Sequence, residues 1–184
     1  MILVACIGNI FLGDDGFGVE VARELSTRPL APGVVVKDFG IRGFDLAYAL
    51  LDHQGLTILV DACPRGGAPG SVYLIEPDTH GAVTEGAPSA EPIGLPETHS
   101  MNPMRVFEMV RAMGGTEAVG PAGRILLVGC EPADFGPENE GRMGLSDPVQ
   151  AAVYPAVAMI ERLIQEHTER REDVHGIEHT FIER

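Results

Sequence analysis

The sequence predicts an α/β fold, a three-layer α/β/α sandwich around a five-stranded, mainly parallel twisted sheet. Three observations carry this: apolar strand-like runs alternate with stretches of helical period, a glycine-rich turn joins the first run to the first helix, and 184 residues suit one domain. Residues 1–7 form a continuous apolar run of the kind a doubly covered parallel strand requires. Gly18, Val21, Ala22 and Leu25 then recur at i, i+3, i+4 and i+7, the period of a helix laid on a sheet. Residues 34–39 read as the second strand, followed by a helix with Phe44, Ala47, Tyr48 and Leu51 as its expected buried stripe. Residues 56–63 are the third strand, ended by Pro64, Gly66, Gly67, Pro69 and Gly70.

A short strand at 72–75 precedes residues 76–97, a proline-rich polar stretch too long for an ordinary connection. Asn102-Pro103 provides an N-cap and a first-turn proline for a helix with Val106, Met109, Val110 and Met113 on its buried side. Residues 124–130 give the fifth strand. Asp147-Pro148-Val149-Gln150 resembles a capping box opening a last helix, whose stripe is Val149, Val153, Val157, Ile160 and Ile164. Pro155 falls inside that stripe, where a proline costs about 3 kcal/mol and predicts a kink or a late start of the regular helix. From Glu166 the chain is charged and loses the stripe, so residues 1–165 are expected to form the domain and 166–184 a frayed, flexible tail.

The formal net charge of −14 argues against nucleic acid and anionic membranes as partners, since both are polyanions. No apolar run approaches the 18 or so residues of a membrane span, and Met1 leads directly into a strand, so a cytoplasmic location is expected. Cys6, Cys63 and Cys130 show no CxxC spacing and read as small apolar residues in a reducing compartment.

Chemistry concentrates at the strand ends. In the turn Gly8-Asn9-Ile10-Phe11-Leu12-Gly13-Asp14-Asp15-Gly16-Phe17-Gly18, two carboxylates stand where a nucleotide-binding loop would present phosphate-friendly N–H groups. They repel phosphate and attract cations. Asp14 is the expected N-cap, and Asp15 in the first turn is expected to stay ionised beside the helix dipole. Asp61 ends an otherwise apolar buried run, and with strand order 2-1-3 both Asp15 and Asp61 project toward one crevice. His99, before the Asn102 helix, supplies a nitrogen ligand, whereas His53 and His80 read as solvated. His175-Gly176-Ile177-Glu178-His179 matches an H-x-x-E-H zinc-protease pattern, but Gly176 weakens a helix there and no further ligand follows. Cys63 has no evident histidine base, so a covalent mechanism is not expected.

Together, Gly8-Asn9-x-x-Leu12-x-Asp14-Asp15-Gly16-x-Gly18, Val60-Asp61-Ala62, His99 before a helix, Val128-Gly129 with Glu131-Pro132, and Gly144-Leu145-Ser146 resemble the nickel-iron hydrogenase maturation endopeptidases over residues 1–164. Pro155 has a counterpart in that family. The resemblance implies an aspartyl-type endopeptidase that removes the C-terminal extension of a hydrogenase large-subunit precursor after nickel insertion. Its metal-contacting positions fall on Asp15, Asp61 and His99, the first being Glu or Asp in the family, with Asp15 and Asp61 able to activate water. Nickel is then carried by the substrate and held weakly or not at all by the isolated protein. The precursor is the implied partner, with a hydrogenase assembly chaperone as a further one. A non-proteolytic nickel-binding or scaffold protein of the same assembly is the alternative. A nucleotide-binding enzyme is disfavoured by the glycine order and the two acids.

Overall fold

β1 (Ile2–Ile7) runs buried along its whole length because strands flank it on both sides: β2 (Val34–Gly40) and β3 (Leu56–Ala62), both parallel to it. β5 (Arg124–Cys130) extends the sheet parallel to β3, and β4 (Val72–Ile75) closes the edge antiparallel to β5, giving the order β2-β1-β3-β5-β4. The computed structural model describes residues 1–53, 55–76, 106, 109, 110, 123–136 and 141–180, with side chains as far as residue 170. The strand assignments made from sequence agree with these bounds to within a residue.

One face of the sheet is covered by α1 (Phe17–Ser26) and α3 (Asp147–Thr180), which bury Phe17, Val21 and Leu25 with Val153, Val157 and Ile160 against Val4, Cys6, Ile58 and Val60. The other carries α2 (Gly43–Asp52), where Leu46, Ala47 and Leu50 meet Ala5, Ile7, Phe39 and Leu59. Val106 and Val110, two of the residues expected on the Asn102 helix, are helical and buried in this second layer. The result is the three-layer α/β/α sandwich.

Several local expectations need correcting. The stripe of α2 is phased differently: Leu46, Ala47 and Leu50 are buried while Phe44 and Tyr48 stand more than half exposed. Two i, i+3, i+4 sets coexist in this apolar helix, and periodicity alone does not choose between them. His53 is not solvated; it is buried, its Nε2 3.2 Å from the Leu56 carbonyl oxygen. The capping-box reading at Asp147 shifts by one residue, since Asp147 is already helical and the Ser146 carbonyl accepts the Gln150 N–H at 2.8 Å. Nor does the helix start late or end at Glu166. α3 includes Pro155 on its exposed side, where water can satisfy the carbonyl that proline leaves free, and continues to Thr180. Among the described side chains its buried stripe ends at Ile164.

Gly18 fixes how closely α1 approaches the sheet. A Cβ there would lie 2.1 Å from the Ile7 carbonyl oxygen and 2.6 Å from that of Val60. Backbone of two strands cannot move aside cheaply. Gly18→Ala is expected to cost about 3 kcal/mol, read as a lower urea midpoint at unchanged slope; an unchanged midpoint would show that α1 lifts freely from β1 and β3.

Candidate active site

Four carboxylates lie at or just beyond the C-terminal ends of β1, β3 and β5: Asp14, Asp15, Asp61 and Glu131. They divide into two kinds. Among the described residues Asp14 and Glu131 are each met by several donors, whereas Asp15 and Asp61 each accept a single bond.

After β1 the chain makes a 3-10 turn at Gly13–Gly16 before α1 begins at Phe17. Asp14 therefore does not cap α1. Its buried carboxylate reaches other segments, accepting the N–H groups of Ala133, Asp134 and Ser146 and the Ser146 hydroxyl at 2.6 to 3.1 Å. Burial pushes its pKa up, but these four bonds outweigh that and hold it below the ordinary carboxylate value. Among the described residues Asp15 accepts one bond, from the Asn9 N–H at 2.9 Å. The helix dipole does not dominate here as the sequence suggested. Desolvation does, and raises the pKa of Asp15. The turn sits against Gly8, where a Cβ would stand 2.0 Å from the Asp15 carbonyl oxygen; with φ at +148°, only glycine is comfortable there.

Asp61, at the end of β3, is buried. Burial pushes its pKa well above the ordinary value, and the Asp15 charge pushes it further; only the neighbouring Ala62 N–H, 2.9 Å from Oδ1, acts the other way. Asp15 is thus near enough for its charge to act on Asp61. His99, the third predicted ligand, lies outside the described residues, as does His80. Among the described residues no three His, Cys, Asp or Glu side chains gather as a metal cluster.

Glu131 was quoted in a motif but given no role by the sequence. It follows the apolar β5 as Asp61 ends the apolar β3, which was the available signal. Its buried carboxylate accepts the N–H groups of Arg65 and Gly66 at 2.9 to 3.0 Å and the Tyr73 hydroxyl at 2.9 Å, pinning the loop that leaves Asp61. Burial raises its pKa, but these donors win and lower it. Arg65 lies over the Tyr73 ring, 5.8 Å from its centroid. Cys63 is half-buried, and desolvation followed by the Asp61 charge raises its thiol pKa, the wrong direction for a nucleophile. Cys6 and Cys130 are buried with raised pKa values, as inert core thiols should be.

Chemically, saturated carboxylates are structural and stay charged. A pair that is desolvated and mutually repelling favours taking up a proton, and a cation or a proton relieves the repulsion. Such a pair can receive a metal ion or take a proton from water.

The family model described as hydrogenase maturation protease matches residues 19–163. A hydrogenase expression/formation protein of Azotobacter chroococcum is 31% identical over 159 residues, covering 86% of this chain and 68% of the relative. The hydrogenase 2 maturation protease of Escherichia coli is 25% identical over 166 residues, covering 90% and 91%. Among solved structures, a hydrogenase 2 maturation peptidase from a Thaumarchaeota archaeon superposes with a TM-score of 0.61 at 25% identity, covering 89% of this chain and 97% of that one. The hydrogenase maturating endopeptidase HybD of E. coli gives 0.65 at 23% identity, covering 90% and 92%, and shares the fold.

Proposed function

The chain belongs to the hydrogenase maturation protease family, and from that membership we propose that it is the endopeptidase removing the C-terminal extension of a nickel-iron hydrogenase large-subunit precursor after nickel insertion. The observation that carries the reading is the pair Asp15 and Asp61, desolvated and each with a single side-chain hydrogen bond among the described residues, beside two carboxylates that are each met by several donors. In this reading Asp15, Asp61 and His99 contact nickel that arrives already held by the precursor, and the metal brings the scissile peptide into register. Recognition of the substrate then rests on the ion as well as on the peptide. A carboxylate with a raised pKa is a better base than an ordinary one, so Asp61 or Asp15 takes the proton from the attacking water. That makes the activity aspartyl-type, with no covalent intermediate.

The same reading includes a cytoplasmic location and contact with an assembly chaperone carrying the precursor. No helix among the described residues is long and apolar enough to cross a membrane. Incubating the protein with nickel-loaded precursor and measuring the large subunit by mass spectrometry decides between protease and scaffold: loss of the C-terminal peptide mass is expected, and an intact stable complex would favour the scaffold.

Removing residues 170–184 is expected to leave the processing rate within about twofold, since the buried stripe of α3 ends at Ile164. A lost rate at unchanged Tm would give that helical extension a role in the reaction.

A further inference from the structure

Asp14, like Glu131, is a heavily bonded carboxylate beyond the strand ends, and its bonds reach two segments remote in sequence. Its Oδ2 accepts the Ala133 N–H at 2.8 Å, the Asp134 N–H at 3.1 Å and the Ser146 hydroxyl at 2.9 Å, while Oδ1 accepts the Ser146 N–H at 2.6 Å. The backbone follows the same path: Asp14 N–H donates to the Asp134 carbonyl at 3.2 Å, Gly13 N–H to the Arg142 carbonyl at 2.7 Å, and Arg142 N–H to the Phe11 carbonyl at 2.7 Å. The 3-10 turn is thus fastened to the exit of β5 and to the residue preceding α3. Asp15, the next residue, has one side-chain bond, to the Asn9 N–H, and a backbone donation to the Leu12 carbonyl at 3.1 Å. Little else in the described structure fixes where its carboxylate points.

We propose that Asp14 is a positioning residue for the cleavage reaction: by clamping the turn to residues 133, 134 and 146 it holds the neighbouring Asp15 carboxylate in working alignment. The proposal rests on the reading of Asp15 as a working carboxylate. A carboxylate is required because four donors converge and it brings none of its own. An asparagine in the same place keeps one oxygen for Oδ2 but turns an NH2 group toward the Ser146 N–H, donor against donor. The turn must then shift, and a displacement near 1 Å at a reacting group costs on the order of 10²-fold in rate.

The test measures kcat and KM of the full chain on nickel-loaded precursor for Asp14→Asn, Ser146→Ala, Asp15→Glu and Asp15→Asn. Asp14→Asn is expected to lower kcat at least about tenfold with KM within about threefold, because alignment is lost while the surface that meets the substrate is kept. Ser146→Ala removes one of the four donors without a new clash and should lower kcat about two- to fivefold with the same split, which keeps the proposal testable should Asp14→Asn fold poorly. In the Asp14→Asn, Asp15→Glu double variant, the effects should depart from multiplicative by about fivefold or more, since a longer side chain reaches the site from a displaced turn. A role confined to stability would lower Tm without this coupling. Wild-type kcat in both Asp14→Asn and Ser146→Ala, a loss confined to KM, or strictly multiplicative effects would overturn the proposal. If Asp15→Asn cleaves at the wild-type rate, the reading of Asp15 itself has failed; if Asp15→Asn is dead while Asp14→Asn is unaffected, the positioning role alone has failed.

Discussion

Asp61→Asn is expected to abolish processing, by on the order of 10³-fold or more, while leaving the protein at least as stable as wild type near neutral pH. The two halves of this expectation have one cause. Burial and the charge of Asp15 both oppose ionisation of Asp61, so the ionised carboxylate is a burden on the fold that only the reaction can justify. The amide keeps the volume and an acceptor for the Ala62 N–H, but it neither attracts a cation nor takes a proton.

The sign of the pH dependence follows from the direction of the shift. Because the folded pKa of Asp61 lies above its unfolded value, the folded state binds the extra proton between about pH 4 and that raised value, and stability falls as pH rises through this window. Asp14 and Glu131, whose pKa values are lowered, act in the opposite sense: their contribution is present above about pH 4 and fades as pH falls below it. Urea unfolding of wild type and Asp61→Asn at about pH 5 and pH 7.5 should therefore show the variant gaining relative to wild type at the higher pH. A folded Asp61→Asn protein that cleaves the precursor normally would remove Asp61 from the chemistry, and an equal stability difference at both pH values would remove the burden argument.

The strands were legible because doubly covered parallel strands are apolar at every position, so residues 2–7 and 124–130 announce themselves without any need for phase. The long last helix was legible for the converse reason, a stripe sustained over Val149, Val153, Val157, Ile160 and Ile164. α2 was legible as a helix but not in its orientation, since Phe44 and Tyr48 compete with Leu46 and Leu50 for the core and only the neighbouring Phe39 and Leu59 decide. At the site, Asp15 and Asp61 could be picked out as ionisable groups at the ends of buried runs. The part played by Asp14 could not be read locally, because its partners lie 119 to 132 residues away and Asp-before-helix is the ordinary signature of a cap. Glu131 was missed for the same reason: its donors, the backbone N–H groups of Arg65 and Gly66 and the Tyr73 hydroxyl, lie 58 to 66 residues away.

Metal analysis of purified protein is expected to find well under one nickel per chain, and nickel-free precursor is expected to be cleaved on the order of 10²-fold more slowly than the nickel-loaded form, or not at all. The electrostatics of the pair lead there. A free ion entering between Asp15 and Asp61 must displace the proton that burial and mutual repulsion favour, so its affinity is reduced at neutral pH and rises only as pH rises. Two carboxylates also fall short of the four ligands that make a closed site strong, even with His99 as a third. An ion delivered with ligands of its own meets neither obstacle in full, because its dehydration is already complete and the pair adds only the last contacts. In the proposed reading, proteolysis is thereby conditional on the metal without the protease competing for free nickel. Nickel and zinc measured in enzyme and precursor before and after processing would check this. Stoichiometric metal in the isolated protein together with rapid cleavage of a nickel-free precursor would make the ion a resident catalyst of the protease and overturn it.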